Sequence, residues 1–342
     1  MNVSLSHLSS TSNLNSFAEP TCDLTPMPSK KSILKSEFDD YMNGMRKNSS
    51  YVPLTIEYEE LKDVGVDQST SEAIKSENYT KNRYKKNILP YDITRVKLEM
   101  IGDEPGTDFI NANYIPGYNQ EKDFIATQGP LPTTKEDFWR MIWEQNSRTI
   151  VMLTQIVEGE RVKCDHYWPY NYEPVVMAGF AVKLVVESTS KDWVYREILL
   201  SKNSEQRLVT QFHYTAWPDH GVPETGENLV KFVRYFQTQI SRETRDCGPI
   251  TVHCSAGVGR TGTFIAIDRL LQHMQDHDDV DIFGIVHEMR RHRVAMVQTV
   301  DVINEVYDAR GEDPVYENTT QSPIYENAAF VDLHASLDSS DI

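Results

Sequence analysis

The ten residues from His253 to Gly262 (HCSAGVGRTG) constrain the fold of this chain more than any other segment. They follow a short β-branched run, Ile250 to Val252, which is typical of a buried strand. They lead into Gly262 to Met274, where large apolar residues recur at helical spacing. A strand, a glycine-containing loop and a helix start bring backbone N–H groups and the positive end of a helix dipole to one point. The segment therefore predicts a cradle for an anion the size of phosphate.

Three residue types in this loop indicate chemistry on a phosphate group. Gly257 and Gly259 let the backbone approach a ligand closely, and Arg260 offers a planar fork for two phosphate oxygens. Cys254 lies at the start of the loop, where the helix end and the arginine favour a thiolate nucleophile. Taken singly, each residue has a simpler interpretation, namely a small buried cysteine, a glycine turn and a surface ion pair. The combination, with Cys and Arg six positions apart between a strand and a helix, favours the nucleophile.

The composition is that of a soluble globular chain. With 342 residues, of which 39% are hydrophobic, the chain can bury one core of roughly 250 residues or two small ones. No run approaches the ~18 apolar residues that span a bilayer, and the first thirty residues lack the pattern of a signal peptide. The cysteines have neither metal-ligand spacing nor the density of a disulfide scaffold, which predicts a reducing, cytoplasmic setting. They are Cys22, Cys164, Cys247 and Cys254.

The net charge of −17 argues against general binding of nucleic acid, which usually requires a basic face. The charge is unevenly distributed, because the last 42 residues hold ten acidic residues against one arginine. Much of the acidity therefore belongs to the tail, and the folded part has room for local basic pockets.

The chain divides into three parts. Residues 1–36, rich in Ser, Thr and Asn, predict a disordered leader, and residues 311–342 predict an acidic disordered tail with two Tyr-Glu-Asn repeats. Between them, residues 37–310 mix strand-like and helix-like patterns, which predicts an α/β layered domain. The predicted strands include Thr149 to Leu153, Phe180 to Val186 and Ile250 to Val252. The predicted helices include Ser36 to Met45, continued by Ile56 to Leu61, then Glu227 to Phe236 and Gly262 to Met274.

The loop at residues 253–262 resembles the signature HCSAGxGR[ST]G of the protein-tyrosine phosphatase family at every fixed position. The resemblance extends over about residues 55–299 and is nearest to the cytoplasmic catalytic domain of single-domain receptor-type enzymes. It implies a central twisted mixed sheet flanked by helices, with the phosphate-binding loop between a strand and a helix N-terminus. It also implies hydrolysis of phosphotyrosine through a cysteinyl-phosphate intermediate, without a metal or another cofactor. The further matching blocks are Lys81-Asn-Arg-Tyr84, Asp108-Phe-Ile-Asn-Ala-Asn-Tyr114, Thr127-Gln-Gly-Pro130, Lys163-Cys-Asp-His-Tyr-Trp168 and Trp217-Pro-Asp-His-Gly221.

The resemblance implies a role for each matched residue. A phenolate leaving group has a conjugate acid of pKa ~10, so its departure at neutral pH requires a proton donor. Asp219 of Trp-Pro-Asp would donate that proton and later take one from water, although Pro-Asp is also common in ordinary turns. The implied catalytic residues are Cys254, Arg260, Asp219 and Gln298, and the implied supporting residues are His253, Thr261, Glu158 and Lys163. The implied substrate-binding residues are Tyr84, Ser255, Ala256, Gly257, Val258, Gly259, Arg260, Asp219 and Gln298.

Two departures from the family pattern accompany the match. Tyr84 corresponds to the aromatic wall of a deep cleft that phosphoserine is too short to use, but one extra residue separates it from Pro90. Gln298 corresponds to the residue that orients the hydrolytic water, but Val302 stands where the family has a second Gln. About a dozen residues are missing after Gln298, which predicts intact phosphoryl transfer and slower hydrolysis of the intermediate.

The acidic tail carries two tyrosines in a repeated sequence context. Tyr316 and Tyr325 each precede Glu-Asn, and such a triplet, once phosphorylated, resembles ligands of phosphotyrosine-binding adaptors. Plain solvated disorder is the simpler interpretation of the tail.

The main alternative function is a catalytically impaired phosphotyrosine-binding or scaffold protein on the same fold. Dual-specificity, phosphoinositide and rhodanese-like enzymes are weaker alternatives, since the Lys-Asn-Arg-Tyr and Trp-Pro-Asp blocks are not typical of them. A longer form could be tethered to the cytoplasmic face of a membrane.

Overall fold

The computed structural model describes residues 31–45, 52–218, 227–240 and 247–299 of the chain. In chain order, the strands within these ranges are β1 (Ile33–Leu34), β2 (Arg95–Lys97), β3 (Phe109–Ile115), β4 (Phe124–Thr127), β5 (Thr149–Met152), β6 (Val157–Glu158), β7 (Arg161–Val162), β8 (Val175–Met177), β9 (Phe180–Thr189), β10 (Trp193–Lys202), β11 (Glu205–Tyr214), β12 (Ile250–His253) and β13 (Asp279–Val280). The helices are α1 (Phe38–Met45), α2 (Val52–Glu60), α3 (Ser76–Tyr79), α4 (Lys135–Glu144), α5 (Glu227–Gln239), α6 (Gly259–Asp276) and α7 (Ile282–His292).

A nine-stranded mixed sheet forms the centre of the described structure. Its strand order is β2-β3-β4-β12-β5-β11-β10-β9-β8. The four strands β4, β12, β5 and β11 are parallel to their neighbours within this group, and the flanking pairs are antiparallel. The predicted α/β fold with a mixed sheet is thus confirmed, and β12 lies in the middle of its parallel part.

Both faces of the sheet are buried, and the alternation of side chains along each strand divides the core in two. In β4, Phe124 and Ala126 contribute to the core cluster that contains α5, α6 and α7, whereas Ile125 contributes to the cluster that contains α4. In β5, Val151 faces the first cluster and Ile150 faces the second. Helices on both faces explain why these central strands are continuous apolar runs, because parallel strands are usually covered on each side.

The predicted elements of the central part are confirmed with modest changes of boundary. β5, β9, β12, α5 and α6 coincide with the segments that the periodicity indicated, and α6 begins three residues earlier than predicted. α6 is buried over most of its length, because twelve of its residues lie between the sheet and the neighbouring helices. None of the described helices combines the length and apolar character that crossing a bilayer requires.

The described chain begins inside the predicted leader. Ile33 and Leu34 form β1, which pairs antiparallel with β13, and the backbone N–H of Lys35 donates to Asp278 O at 2.9 Å. The ammonium group of Lys35 also donates to Met274 O at 2.6 Å. Folded structure therefore starts before residue 37, because a short strand here completes backbone pairing at β13. Residues 1–30 and the predicted tail lie outside the described residues.

The predicted N-terminal helix forms as α1, with Phe38, Met42 and Met45 buried on one face. The expected continuation is a separate helix, α2, in which Ile56 is exposed. The two helices are joined by a hydrogen bond from Tyr41 Oη to the carboxylate of Glu57 at 2.8 Å.

Candidate active site

The carboxyl ends of the four parallel strands meet at one edge of the sheet. The register places Thr127, at the end of β4, opposite His253, at the end of β12, and His253 opposite Met152 of β5. His213, near the end of β11, lies opposite Met152. Since ligands of open α/β sheets bind outside the carboxyl ends of parallel strands, this edge is where a site is expected.

The loop from Cys254 to Val258, called the phosphate loop below, joins β12 to α6. Gly257 has a φ of +74°, and a Cβ added there would lie 2.1 Å from Thr127 O. Only glycine fits such a position, because the left-handed conformation and the close approach to β4 both exclude a side chain. Val258 does not cap α6 with its side chain, so the first N–H groups of the helix face the site for an anion.

The sulfur of Cys254 is buried at the floor of the site, where the residue is only 4% exposed. The backbone N–H of Gly257 donates to Sγ at 3.3 Å, and the hydroxyl of Thr261 donates to Sγ at 3.3 Å. Two donors aimed at one sulfur, together with the start of α6, favour negative charge on that atom. The geometry is suited to a nucleophilic thiolate.

Arg260 connects the phosphate loop with the segments that follow β5 and β11. Both of its terminal nitrogens donate to the carboxylate of Glu158, with Nη2 at 3.0 Å from Oε2, and Nη2 also donates to Pro218 O at 3.2 Å. Burial acts to raise the pKa of Glu158, but the hydrogen bond and charge of Arg260 outweigh burial and lower that pKa. Lys163 Nζ lies 3.7 Å from the same carboxylate. Glu158 is therefore an ionised anchor that orients the arginine fork.

Tyr84 stands at the rim of the phosphate loop. Its hydroxyl lies 3.1 Å from Ser255 Oγ, and the residue is 38% exposed, so its ring is open to solvent on one side. The preceding Arg83 fixes this segment, because its backbone N–H donates to Gln128 Oε1 at 2.8 Å and its guanidinium donates to Gly129 O at 3.1 Å. An aromatic ring held in this way can form one wall of a cleft above Cys254.

The imidazole of His253 contacts a backbone carbonyl of the phosphate loop and not the sulfur of Cys254. Burial lowers the pKa of His253 to about 3, so the imidazole is neutral. Gln211 Nε2 donates to Tyr167 Oη at 2.7 Å, and Tyr167 Oη lies 2.9 Å from His253 Nε2. If Tyr167 donates to Nε2, the Nδ1–H of His253 donates to Cys254 O, which lies 3.2 Å away. The network fixes the orientation of the first peptide of the phosphate loop.

Gln298 lies beside the start of α6 and is exposed. A Cβ added to Gly259 would be 3.5 Å from the side chain of Gln298. Its backbone is held on both sides, because the N–H of Val297 donates to Val258 O at 3.1 Å and Tyr58 Oη donates to Gln298 O.

Most of the residues that the sequence analysis named lie together around the phosphate loop, but some lie outside the described residues. Asp219, Val302, Tyr316 and Tyr325 belong to this second group, as does the shortened segment after Gln298. The departure after Gln298 thus remains a prediction. The extra residue lies between Tyr84 and Pro90, which are described, and Tyr84 stands beside Ser255 there.

A set of buried polar residues lies under the loop, and none of them was expected from the sequence to have a role in the site. These are Arg293, Asn111, Asn113 and Tyr167. A signal was available for the two asparagines, because residues two apart in a strand share one face, and two amides on the inner face of β3 are unusual in a core. No local pattern distinguishes Arg293 from its neighbours Arg290 and Arg291.

Comparisons with known proteins agree with this geometry. A family model described as protein-tyrosine phosphatase matches residues 78–310. The chain is 47% identical over 279 residues to receptor-type tyrosine-protein phosphatase eta of Homo sapiens, covering 80% of this chain and 20% of that protein. It is 48% identical over 265 residues to receptor-type tyrosine-protein phosphatase H of Homo sapiens, covering 76% and 24%. It is 44% identical over 269 residues to phosphatidylinositol phosphatase PTPRQ of Homo sapiens, covering 78% and 11%. The chain spans no more than 24% of the length of these relatives. The resemblance inferred from the motifs is confirmed.

Proposed function

The chain belongs to the protein-tyrosine phosphatase family, a class of cysteine-dependent hydrolases, and we propose that it dephosphorylates phosphotyrosine in proteins through an intermediate on Cys254. The observation that carries this proposal is the pair of donors on the buried Cys254 sulfur, the N–H of Gly257 and the hydroxyl of Thr261, each at 3.3 Å. Such a sulfur is prepared to attack phosphorus at neutral pH.

In the first step, Sγ of Cys254 attacks phosphorus, the bond from phosphorus to the tyrosyl oxygen breaks, and Asp219 gives its proton to that oxygen. In the second step, water attacks phosphorus, the sulfur–phosphorus bond breaks, and Asp219 takes the proton of the water while Gln298 orients it. One carboxyl thus acts as acid and then as base, which general acid–base catalysis allows when its protonation alternates. The products are a tyrosine side chain and inorganic phosphate.

The N–H groups of the phosphate loop and Arg260 stabilise the transferring phosphoryl group. Charge on its three peripheral oxygens is spread over fixed donors, which cost no reorganisation during the reaction. The Glu158 carboxylate supports this arrangement from behind, because it holds the arginine fork with two hydrogen bonds.

Selectivity for phosphotyrosine is proposed to follow from the depth of the cleft. Cys254 is buried, whereas Tyr84 stands at the rim beside Ser255. A phosphate on an aromatic ring reaches such a floor, and a phosphate on the short serine side chain does not. The relative named phosphatidylinositol phosphatase makes phosphoinositide hydrolysis the second candidate function.

Steady-state kinetics on phosphotyrosine peptides, phosphoserine peptides and soluble phosphoinositides test the proposal. The wild type should turn over phosphotyrosine, Cys254→Ser should be inactive, and Asp219→Ala should lose most of its kcat. Higher kcat/KM on phosphoinositides would favour the second candidate. Tight binding of phosphotyrosine peptides without turnover would favour a scaffold and contradict the enzyme.

The segment after Gln298 gives a kinetic expectation of its own. Because the family's second Gln is replaced by Val302, hydrolysis of the intermediate should be slower than its formation. Stopped-flow mixing with a chromogenic aryl phosphate should show a burst followed by slow turnover. A linear trace at an ordinary rate would contradict this expectation.

The tail supports a proposal about partners. Phosphorylated Tyr316 and Tyr325, each followed by Glu-Asn, would recruit a phosphotyrosine-binding adaptor. Synthetic tail peptides with and without phosphate should differ in capture of such a domain, and equal capture would contradict the proposal. The relatives named receptor-type support a location at the cytoplasmic face of a membrane in a longer form.

A further inference from the structure

Arg293 is a fully buried arginine directly under the phosphate loop. It follows the end of α7, and its residue exposure is 0%. Its Nε donates to Gly257 O at 2.9 Å, and its Nη2 donates to Ala256 O at 3.1 Å. Two consecutive carbonyl groups of the phosphate loop therefore point down at one guanidinium.

The planarity of the peptide bond turns this contact into a constraint on the opposite side of the loop. In a trans peptide the C=O and the following N–H point in opposite directions. With Ala256 O held by Arg293, the N–H of Gly257 must point away from it, and that N–H donates to Cys254 Sγ at 3.3 Å. With Gly257 O held as well, the N–H of Val258 is turned toward the same side. The guanidinium thus aims two amides at the sulfur and at the place of the phosphate.

The remaining acceptors of Arg293 are neutral amides. Nη1 donates to Asn113 Oδ1 and Nη2 to Asn111 Oδ1, both at 2.8 Å. The amide groups of the asparagines cannot flip, because each Nδ2 is occupied: that of Asn111 donates to Ile88 O at 3.0 Å, and that of Asn113 donates to Tyr91 O at 3.1 Å. Among the described residues, no carboxylate lies within ion-pairing distance of Arg293.

A buried charge without a counter-ion is costly, so its retention needs a reason. Burial lowers the pKa of Arg293 to about 10, and the negative charge of Cys254 acts in the opposite direction. The guanidinium is therefore a cation at neutral pH, and a negative charge on Cys254 would lie close enough to interact with it. Donation to the loop carbonyls also polarises the two peptides, which strengthens their N–H groups as donors.

We propose that Arg293 is a positioning residue of the phosphatase site, which aims the phosphate-loop amides and supplies an uncompensated positive charge beneath Cys254 and the bound phosphoryl group. The proposal rests on the proposed function for its kinetic readout only. Its binding and alkylation readouts do not require turnover. Failure of this proposal can therefore be distinguished from failure of the proposed phosphatase function.

Two variants separate the two parts of this role. Arg293→Met removes the charge and the fork, whereas Arg293→Lys keeps the charge but cannot reach all four acceptors. Arg140→Met is the control for loss of a buried arginine, because Arg140 is also buried and donates to the carbonyls of Glu99 and Thr107, remote from the loop. Unlike Arg293, Arg140 is ion-paired, with Asp137 and Glu144. Thermal unfolding first establishes that each variant is folded.

Three measurements follow on the folded variants: the dissociation constant of tungstate, the alkylation rate of Cys254 by neutral iodoacetamide at about pH 6.5 and about pH 9, and kcat/KM on a phosphotyrosine peptide. Arg293→Met should raise the dissociation constant of tungstate about tenfold or more and slow alkylation at the lower pH about tenfold. It should also reduce kcat/KM about 100-fold. Arg293→Lys should recover the alkylation rate but not kcat/KM. Arg140→Met should lose thermal stability but keep the wild-type values of the tungstate dissociation constant, the alkylation rate and kcat/KM.

The alkylation rate depends on all charged groups around Cys254, so the variants are compared with the other charged groups left unchanged. The charged groups are Arg293 after α7 and Arg260 in α6 with its partner Glu158. Burial raises the pKa of Cys164 and lowers that of His253, so this thiol and this imidazole are neutral. The proposal is overturned if folded Arg293→Met keeps tungstate affinity and low-pH alkylation within about twofold of the wild type, or if Arg140→Met loses as much.

A measurement on the wild type covers the case in which Arg293→Met does not fold. In protein labelled with ¹⁵N-arginine, the Nε–H resonance of Arg293 should move when tungstate binds, because its acceptor is a loop carbonyl. The Nε–H of Arg148, which donates to Asn146 Oδ1 far from the loop, should stay in place. An unmoved Arg293 resonance at saturating tungstate would overturn the proposal.

Discussion

The two sides of the phosphate loop hold a cation each, but in opposite ways. Arg260, on the substrate side, has a side chain 17% exposed and is paired with the carboxylate of Glu158. Arg293, on the core side, is fully buried and is held by two backbone carbonyls and two amide oxygens. A carboxylate orients the fork of the first arginine, whereas neutral acceptors leave the charge of the second uncancelled.

A salt bridge and a buried cation without a carboxylate partner therefore have different functions in one site. The Arg260–Glu158 pair fixes the geometry of a partly exposed guanidinium, and the carboxylate partly cancels the field of that guanidinium. The lower side excludes solvent, so the charge of Arg293 acts over a short distance with little screening. The polar groups around it are neutral, including the imidazole of His253.

The largest expected effect is on the substrate side. Arg260→Lys keeps a positive charge for Glu158 but loses the planar fork that binds two phosphate oxygens. The kcat/KM on phosphotyrosine peptides should fall on the order of 10³-fold, while the free energy of unfolding changes by about 1 kcal/mol or less. Arg148→Lys, remote from the loop, is the control. Activity within tenfold of the wild type would show that the fork is not used.

The next effect concerns the glycine where the two sides meet. Gly257→Ala combines a positive φ with a Cβ 2.1 Å from Thr127 O, and it should lower the free energy of unfolding by about 2–4 kcal/mol and abolish activity. Gly179→Ala isolates the strain, because Gly179 has a φ of +79° with open space around it. Urea unfolding of both variants separates strain from collision. Equal losses would mean that the approach to β4 costs nothing.

The free energy of unfolding should begin to fall at mildly acidic pH, because two buried histidines lie at this edge of the sheet. Burial lowers the pKa of His253 to about 3 and that of His213 to about 4, whereas in the unfolded chain each has a pKa of about 6.5. Between these values the unfolded chain binds more protons, so the free energy of unfolding falls as pH falls below about 6.5, by about 1.4 kcal/mol per pH unit for each imidazole.

Urea unfolding of the wild type and His253→Gln between about pH 4.5 and pH 8 measures this slope. The variant should lose the contribution of one imidazole, and above about pH 7 the two curves should run parallel. Identical slopes on the acid side would contradict a neutral buried His253.

The smallest effect is expected in the hydrogen-bond network behind His253. Tyr167→Phe removes the hydroxyl between Gln211 Nε2 and His253 Nε2, and should cost about 1 kcal/mol of stability. Tyr91→Phe is the matched control, because the buried hydroxyl of Tyr91 has no hydrogen-bond partner among the described residues. Its loss should be neutral or stabilising. A larger loss for Tyr91→Phe than for Tyr167→Phe would contradict the assigned network.

The local parts of this protein can be predicted from the amino-acid sequence alone. Strand β12, the phosphate loop and helix α6 are consecutive, so period, glycines and the cysteine–arginine spacing were sufficient to predict them. The same holds for the face of α1 that carries Phe38 and Met42. Such features depend on neighbours along the chain, and the local pattern records them.

The residues under the loop, in contrast, are brought together by long-range contacts. Asn113 is 180 positions from Arg293, and Asn111 is 182, yet they meet because β3 lies two strands from β12 and α7 packs against β3. Burial of the guanidinium, and hence the strength of its charge, follows from strand order and helix packing. A one-dimensional pattern cannot encode these, because the order of strands in a sheet is fixed by contacts between distant segments.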